Sequence, residues 1–401
     1  MLRAAKPCEV SGYCRLTQNR NVCWISSWDR GRPGRRLSDE IASDLSQNVI
    51  ELLTSGRDGR GPRVGLRGEI MATFAVLGSG GWGTAIAVLL AGHPTHRVRL
   101  WSAHAESARL LHEHRVNTRL LPGVVLPESV TITDNPGEAV ENADCWVSAI
   151  PTAFLRQTIA RFAKVRGDDL PVVSLTKGLE IGTFRRPSEI ISEVLRTDRV
   201  AVLSGPSHAE EVARGMPTSV TVAAADPSIA QWVQERFGTE RFRIYTTGDV
   251  VGVELAGALK NVVGIAAGVC DGLGFGDNAK AALLARGIVE MTRFGVALGA
   301  DAATFTGLSG IGDLITTCFS PHGRNRRVGF RLGRGEALAD ILAGPQVAEG
   351  VGTSRSVFER LTKMGIEAPI MASVYQVLHR GKPPLAAFQE LMMRSQKNER
   401  V

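Results

Sequence analysis

The sequence predicts an α/β domain built on a mostly parallel sheet, followed by an all-α domain. Three observations predict it. A strand, a glycine turn and a helix open at Met71, in MATFAVLGSGGWGTAIAVLLAG. Strand-like and helix-like segments then alternate to about residue 250, the pattern of strands joined by crossover helices. Beyond that point strand signals fade and helical periodicity takes over. The expected units are 71–250 and 251–401, with 1–70 preceding them as a poorly structured extension.

That first segment differs from the rest. It holds 12 Lys and Arg against 8 Asp and Glu, so more than half of the chain's net charge of +7 lies there. WDRGRPGRRLSDE and TSGRDGRGPR read as basic loops, and only LSDEIASDLSQNVIELL reads as a helix, with Ser38 as its cap. No apolar stretch follows the early basic residues, so the segment does not read as a secretory signal. The abrupt change at Met71 points to Met71 as the true start and to 1–70 as a start assigned too early, or else to 1–70 as a disordered or targeting extension.

The α/β unit begins with the glycine turn. Gly78, Gly80 and Gly83 form GxGxxG between a strand and a helix. In that setting the first glycine allows a tight turn and the second lets backbone approach a pyrophosphate. The third lets helix and strand pack closely. The helix start offers N–H groups and a positive dipole end to phosphate. These features predict a Rossmann-like dinucleotide site. The second strand, HRVRLW, ends in Ser102-Ala103-His104, and the first acid is Glu106. An NAD-selective site carries a carboxylate near that tip. Its absence leans towards NADPH over NADH and makes His104 a candidate for the adenosine end.

SVTIT reads as a strand and NPGEAVENA as a helix; a strand ending at Pro151 and a helix follow. LPVVSLTKGLE delivers Lys177 at a strand's carboxyl end, and VAVLSGPSHAEEV does the same for the Ser204–Ser207 turn. Ligands of open α/β sheets bind at such ends. PTSVTVAAAD and FRIYTTGD add strands near the sheet edge.

The helical unit opens on VELAGALKNVVGIAAGVCDG, apolar on every face apart from a few polar residues. A helix of that kind is buried all round, and lysine is rarely buried without a partner. Lys260 therefore stands out. Glu254, Lys260 and Asn261 argue against a membrane span. GIGDLITTC, RNRRVGFRLGRG, SRSVFERLTKMG, PIMASVYQVLHRG and LAAFQELMMR read as further helices. Arg324 and Asn325 open one of them after a Pro/Gly loop, a suitable phosphate receptor.

Composition narrows the function. At 44% apolar and 22% charged the chain can fill a sizeable core. No basic stripe interleaved with aromatics suggests nucleic acid. Cys8, Cys14, Cys23, Cys145, Cys270 and Cys318 form no CxxC pair and no metal-ligand spacing, so no metal is expected. Free thiols fit a reducing cytoplasm.

The motifs occur together as GSGGWGTAIA, LTKGLE, SGPSHAEEV, ELAGALKNV, TFTGLSGIGDLITTC, GRNRRVG and VAEGVGTS. From Met71 onwards the chain resembles the bacterial-type NAD(P)-dependent glycerol-3-phosphate dehydrogenases. The resemblance implies a C-terminal domain like that of 6-phosphogluconate dehydrogenase and a cytoplasmic homodimer. It implies reversible reduction of dihydroxyacetone phosphate to sn-glycerol 3-phosphate at the start of glycerophospholipid synthesis, without membrane insertion. By motif, Gly81, Trp82, Lys177, Ala209, Arg324, Val347 and Glu349 would contact the cofactor. Lys177, Gly205, Ser207, Lys260, Asp313, Gly323, Arg324 and Asn325 would form the substrate site, with Lys260 as the proton acceptor. The chain departs from its relatives at Gly323, where many carry serine, and at Ala103, where many carry Arg or His. Two other readings compete: a β-hydroxyacid or 6-phosphogluconate-type dehydrogenase, and a non-catalytic regulator that binds NAD(P).

Overall fold

The computed structural model describes residues 71–165, 170–344, 347–396 and 398–399. The expectations for 1–70, including the extension, the start at Met71 and the helix after Ser38, lie outside these residues. The strands are β1 (Ala72–Leu77), β2 (His96–Trp101), β3 (Val130–Thr133), β4 (Cys145–Ser148), β5 (Val172–Ser174), β6 (Val200–Ser204), β7 (Thr218–Ala224) and β8 (Phe242–Thr247). They form one sheet in the order β3-β2-β1-β4-β5-β6-β7-β8. The first six run parallel. β7 turns antiparallel to β6, and β8 pairs parallel with β7. The order 3-2-1-4-5-6 is that of the doubly wound nucleotide-binding sheet. Its direction of winding reverses between β1 and β4, so a crevice opens past their carboxyl ends.

The central strands β4, β5 and β6 are buried along their whole length. Helices cover both faces. One core gathers Phe74, Val76, Ile86 and Val147; the other gathers Leu77, Trp101, Trp146 and Phe162. Each fully buried side chain of this size contributes roughly 1.5–3 kcal/mol by leaving water. The strand expected to reach Pro151 stops at Ser148, and a helix starts at Thr152. Proline has no N–H for the sheet ladder, so Ala149–Pro151 become the loop at the crevice. The NPGEAVENA helix is shorter than its pattern, Pro136–Val140, with the Asn135 side chain accepting from Gly137 N and Glu138 N.

After β8 only helices follow. The Val250–Gly272 helix is capped by Asp249, whose carboxylate accepts from Gly252 N at 2.8 Å. At 23 residues and mean hydropathy 1.6 it is long and apolar enough to cross a membrane, yet 83% of its apolar window is buried inside the protein. It is the core helix of this half. The helices around it bring Met291, Phe294, Phe305 and Leu314 onto its surface.

Glycines let one neighbour come closest. Gly264, Gly268 and Gly272 are spaced four apart and line one face of the core helix. Against them lies Arg324–Gly333 with Gly329 and Gly333. A Cβ on Gly268 would overlap the Arg326 carbonyl oxygen, and one on Gly329 would overlap that of Ile265. The two backbones therefore touch. This contact carries the start of the Arg324–Gly333 helix to the core helix near Lys260.

Where the sequence suggested an ordinary helix through GIGDLITTC, Leu308–Gly312 forms a π-helical turn before Asp313–Phe319. A Cβ on Gly310 would overlap the Phe305 backbone. Such turns often mark functional sites; here it leads directly into Asp313.

Candidate active site

Gly78 follows β1 in a left-handed conformation, φ 117°, and a Cβ there would press on the Ala149 carbonyl after β4. A Cβ on Gly83 would overlap the Gly78 carbonyl. Around Gly80 there is open space within 4 Å. The turn thus closes tightly on itself and stays open where a pyrophosphate would approach. Gly80 is the N-cap of Gly81–Ala91, with no side chain covering the first N–H groups. Gly81 sits against the Leu120 carbonyl. Trp82 packs on the Ala85, Leu121 and Val124 cluster, as does Ala209, and its indole Nε1 is buried without a partner among the described residues.

At the tip of β2, Ser102 receives a hydrogen bond from Ser79 of the glycine turn at 2.9 Å. Ala103 and His104 are exposed. Glu106 is bound by Arg109 of its own helix, Nη2 to Oε1 at 2.8 Å. The first carboxylate after the tip is thus already engaged.

Four elements supply the charged cluster. Lys177 comes from the end of β5, Gly205–Ser207 from the turn after β6, Lys260 from the core helix, and Asp313 from the helix after the π turn. Asp313 is 2% exposed and bridges both lysines: Oδ1 accepts from Lys260 Nζ at 3.0 Å and Oδ2 from Lys177 Nζ at 2.7 Å. Lys260 also donates to Thr317 Oγ1 at 2.6 Å. Lys177 also donates to the Gly205 carbonyl at 2.9 Å and to Ser207 Oγ at 3.4 Å. Gly205 has φ 131°, which turns the chain back beneath the lysine.

The electrostatics follow from burial. Lys260 is 8% exposed. Burial pushes its pKa down to about 8; Asp313 pulls it up and Lys177 pushes it down further. Burial alone would raise Asp313, but the two ammonium groups outweigh it and hold the carboxyl below its ordinary value.

Asn261 turns into the protein. It donates to the Lys177 carbonyl at 3.1 Å and accepts from Asn325 Nδ2 at 2.8 Å. Asn325 Oδ1 in turn accepts from Gly350 N at 3.0 Å. These amides fasten the Lys177 loop, the core helix, the Arg324 helix and the Glu349 helix to one another. One amide hydrogen of Asn325 has no partner among the described residues. Arg324 is exposed at its helix start and makes no hydrogen bond or salt bridge among the described residues. Arg326 instead binds Asp271 at 2.6 Å.

Gly323 is the N-cap of this helix, and its N–H goes to the Ser320 carbonyl. A Cβ there would stand 2.8 Å from the Thr317 carbonyl, so this backbone leaves little room for a side chain. Val347 is half-buried just before the Glu349–Met364 helix. Glu349 reaches across the crevice and accepts from Thr152 N at 2.9 Å. Burial raises its pKa, against the pull of Thr152 and nearby Arg324.

The structure therefore brings Lys177, Gly205, Ser207, Lys260 and Asp313 into direct contact, and joins Asn325 to them through Asn261. Thr317 was missed in the sequence, although it lies four residues after Asp313, one helical turn along the same face. His208, between two residues that were singled out, was missed as well.

The family model described as the N-terminus of NAD-dependent glycerol-3-phosphate dehydrogenase matches residues 73–230, and its C-terminal counterpart matches 249–389. Glycerol-3-phosphate dehydrogenase [NAD(P)+] from Chlorobium phaeobacteroides is 47% identical over 330 residues, covering 81% of this chain and 98% of the relative. The enzyme of that name from Geobacillus thermodenitrificans is 46% identical over 333 residues, covering 82% and 97%. Among solved structures, glycerol-3-phosphate dehydrogenase from Coxiella burnetii superposes with a TM-score of 0.77 at 36% identity, covering 81% of this chain and 99% of its own. With both halves matched and relatives covered almost end to end, this chain belongs to the NAD(P)-dependent glycerol-3-phosphate dehydrogenase family.

Proposed function

We propose that the protein transfers a hydride reversibly between NAD(P)H and dihydroxyacetone phosphate, giving sn-glycerol 3-phosphate, with Lys260 moving the proton. The observation that carries this reading is the buried Lys260–Asp313–Lys177 cluster, at the same carboxyl-end edge of the sheet as a glycine turn that fits a dinucleotide. A pure NAD(P) sensor has no need of a buried lysine poised near neutrality.

The nicotinamide cofactor supplies the hydride chemistry when bound. The glycine turn and the Gly81–Ala91 helix start hold its phosphates. In the reducing direction the Lys260 ammonium polarises the ketone oxygen and gives it a proton as C2 becomes a carbinol carbon. In the oxidising direction neutral Lys260 takes the hydroxyl proton. With a pKa of about 8 both forms are populated near neutral pH, the condition for effective proton transfer. Asp313 and Thr317 fix the direction of Nζ. Lys177 adds a second positive charge, held by Asp313, Gly205 and Ser207. Arg324, with Gly323 and Asn325 beside it, takes the substrate's phosphate. Anchoring that remote group converts binding energy into orientation at C2.

Trp82, His104, Ala209, Val347, Glu349 and Arg324 are assigned to the cofactor, and the carboxylate-free tip of β2 supports acceptance of the 2′-phosphate of NADPH. The division at about 250 makes residues 71–250 the cofactor part and 251–401 the substrate part. Residues 1–70 are read as dispensable for this chemistry. A cytoplasmic homodimer serving glycerophospholipid synthesis completes the reading.

One assay tests it. Protein starting at Met1 and protein starting at Met71 are given dihydroxyacetone phosphate with NADPH or NADH, and oxidation is followed spectrophotometrically. Turnover by both forms, faster with NADPH, is expected. Absence of turnover with either cofactor, beside activity on a hydroxyacid, would sink the substrate assignment.

A further inference from the structure

His208 has no task in the chemistry above. It lies in the turn after β6, between Ser207 and Ala209, and immediately precedes the Ala209–Ala213 helix. Its Nε2 is buried and has no hydrogen-bond partner among the described residues. Buried polar atoms without partners are costly and uncommon in native proteins. At a ligand site, such an atom is accounted for when the ligand completes its bond.

Two observations indicate what the ligand brings. The imidazole is close enough to Lys260 and Asp313 to feel both charges. Its ring also lies 5.9 Å, centroid to centroid, from that of His322. His322 is two residues before Arg324, in the loop that opens the helix assigned to the phosphate. His208 is thus a neighbour of the reacting lysine and of the phosphate loop at once. Burial and the Lys260 charge lower its pKa, against the pull of Glu211, Asp313 and Glu210. The ring is therefore neutral at neutral pH, with one N–H to donate.

We propose that His208 is a substrate-binding residue whose Nε2–H donates a hydrogen bond to the phosphate of the bound substrate. The proposal rests on dihydroxyacetone phosphate being the substrate. It adds a donor from the sheet half to a phosphate otherwise held only from the helical half, so both halves grip the same group.

The test is steady-state kinetics of His208→Leu, which removes the donor, and His208→Gln, which keeps an amide donor of similar reach. His208→Leu should raise KM for dihydroxyacetone phosphate about tenfold or more, the usual scale for a hydrogen bond to a charged group. Its kcat should stay within about twofold, the pattern of lost binding, and its NADPH affinity should not change. His208→Gln should recover most of the loss. In an Arg324→Ala background the effect of His208→Leu should differ by about twofold or more, because both residues hold one group. Unchanged KM in His208→Leu overturns the proposal, and so does strict additivity with Arg324→Ala. If His208→Leu does not fold, His208→Asn, polar but shorter, carries the same expectation. Wild-type protein without turnover on dihydroxyacetone phosphate would instead overturn the substrate reading, a separate outcome.

Discussion

At the glycine turn proposed for the cofactor's phosphates the groups on offer are backbone. Gly78, Gly80 and Gly83 contribute no side chain, and what they provide is room and N–H groups. At the proposed substrate end the groups on offer are side chains: Lys177, Lys260, Asp313, Thr317 and Arg324, from both halves of the molecule. The two ends are therefore sensitive to opposite changes. Adding an atom damages the first; removing atoms damages the second. A further set of glycines, Gly264, Gly268, Gly272, Gly329 and Gly333, serves the substrate end indirectly, by letting the Arg324 helix touch the core helix.

Deletion at the substrate end should have the largest effect. Lys260→Ala should lower kcat by about 10²–10⁴-fold, the usual contribution of a positioned proton-transfer group. NADPH binding, measured by fluorescence titration, should be retained. Near-normal turnover would remove Lys260 from the mechanism. Arg324→Ala should raise KM for dihydroxyacetone phosphate by roughly 10- to 150-fold, the scale of a lost hydrogen bond to a charged group. An unchanged KM would separate Arg324 from the phosphate.

Addition at the cofactor end comes next. Gly83→Ala places a Cβ on the Gly78 carbonyl. The strain, about 1–3 kcal/mol, should weaken NADPH binding by roughly 5- to 150-fold while the Lys260 cluster stays intact. Normal cofactor affinity would show that the turn tolerates the methyl group. Gly268→Ala adds the same atom at the helix seam. It should lower stability by about 1–3 kcal/mol in a denaturant titration. It should also raise KM for the phosphorylated substrate more than it weakens NADPH binding. Equal effects on the two ligands would break the distinction between the ends.

The cofactor end was the more legible in the sequence, and the reason is physical. A phosphate turn is local: Gly78, Gly80 and Gly83 lie within six residues and their spacing states their geometry. The strand tips bearing Lys177 and Ser207 were legible for the same reason, since sheet topology fixes which ends converge. Lys260 could be recognised as anomalous because a lone ammonium in an apolar helix needs a partner. The helix alone does not name that partner; Asp313 and Lys177 could be named only once the family motifs were recognised, and the structure bears out Asp313. Asp313 lies 53 residues away, and Thr317 joins it from one turn further along the same helix. Asn261 stood out in the sequence only as a polar residue in an apolar helix; its bonds to Lys177 and Asn325 show what it does there. The glycine seam carries no motif; its spacing acquires meaning only when the facing helix is known. His208 was overlooked because an unpartnered ring nitrogen is a property of three dimensions.

The central claim is that Lys260, held by Asp313 and Thr317 and lowered by burial, moves the proton. The pH dependence of glycerol 3-phosphate oxidation tests it most directly. Oxidation needs the neutral amine, and the Lys260 pKa is pushed down to about 8. The kcat should therefore rise through an apparent pKa near 8 and level off above it. Reduction, which needs the ammonium form, should fall over the same range. Lys260→Arg keeps the charge but does not titrate in this window, so its residual activity should lack the limb. An oxidation rate that is flat from pH 7 to about pH 9, or an unchanged limb in Lys260→Arg, would contradict the account.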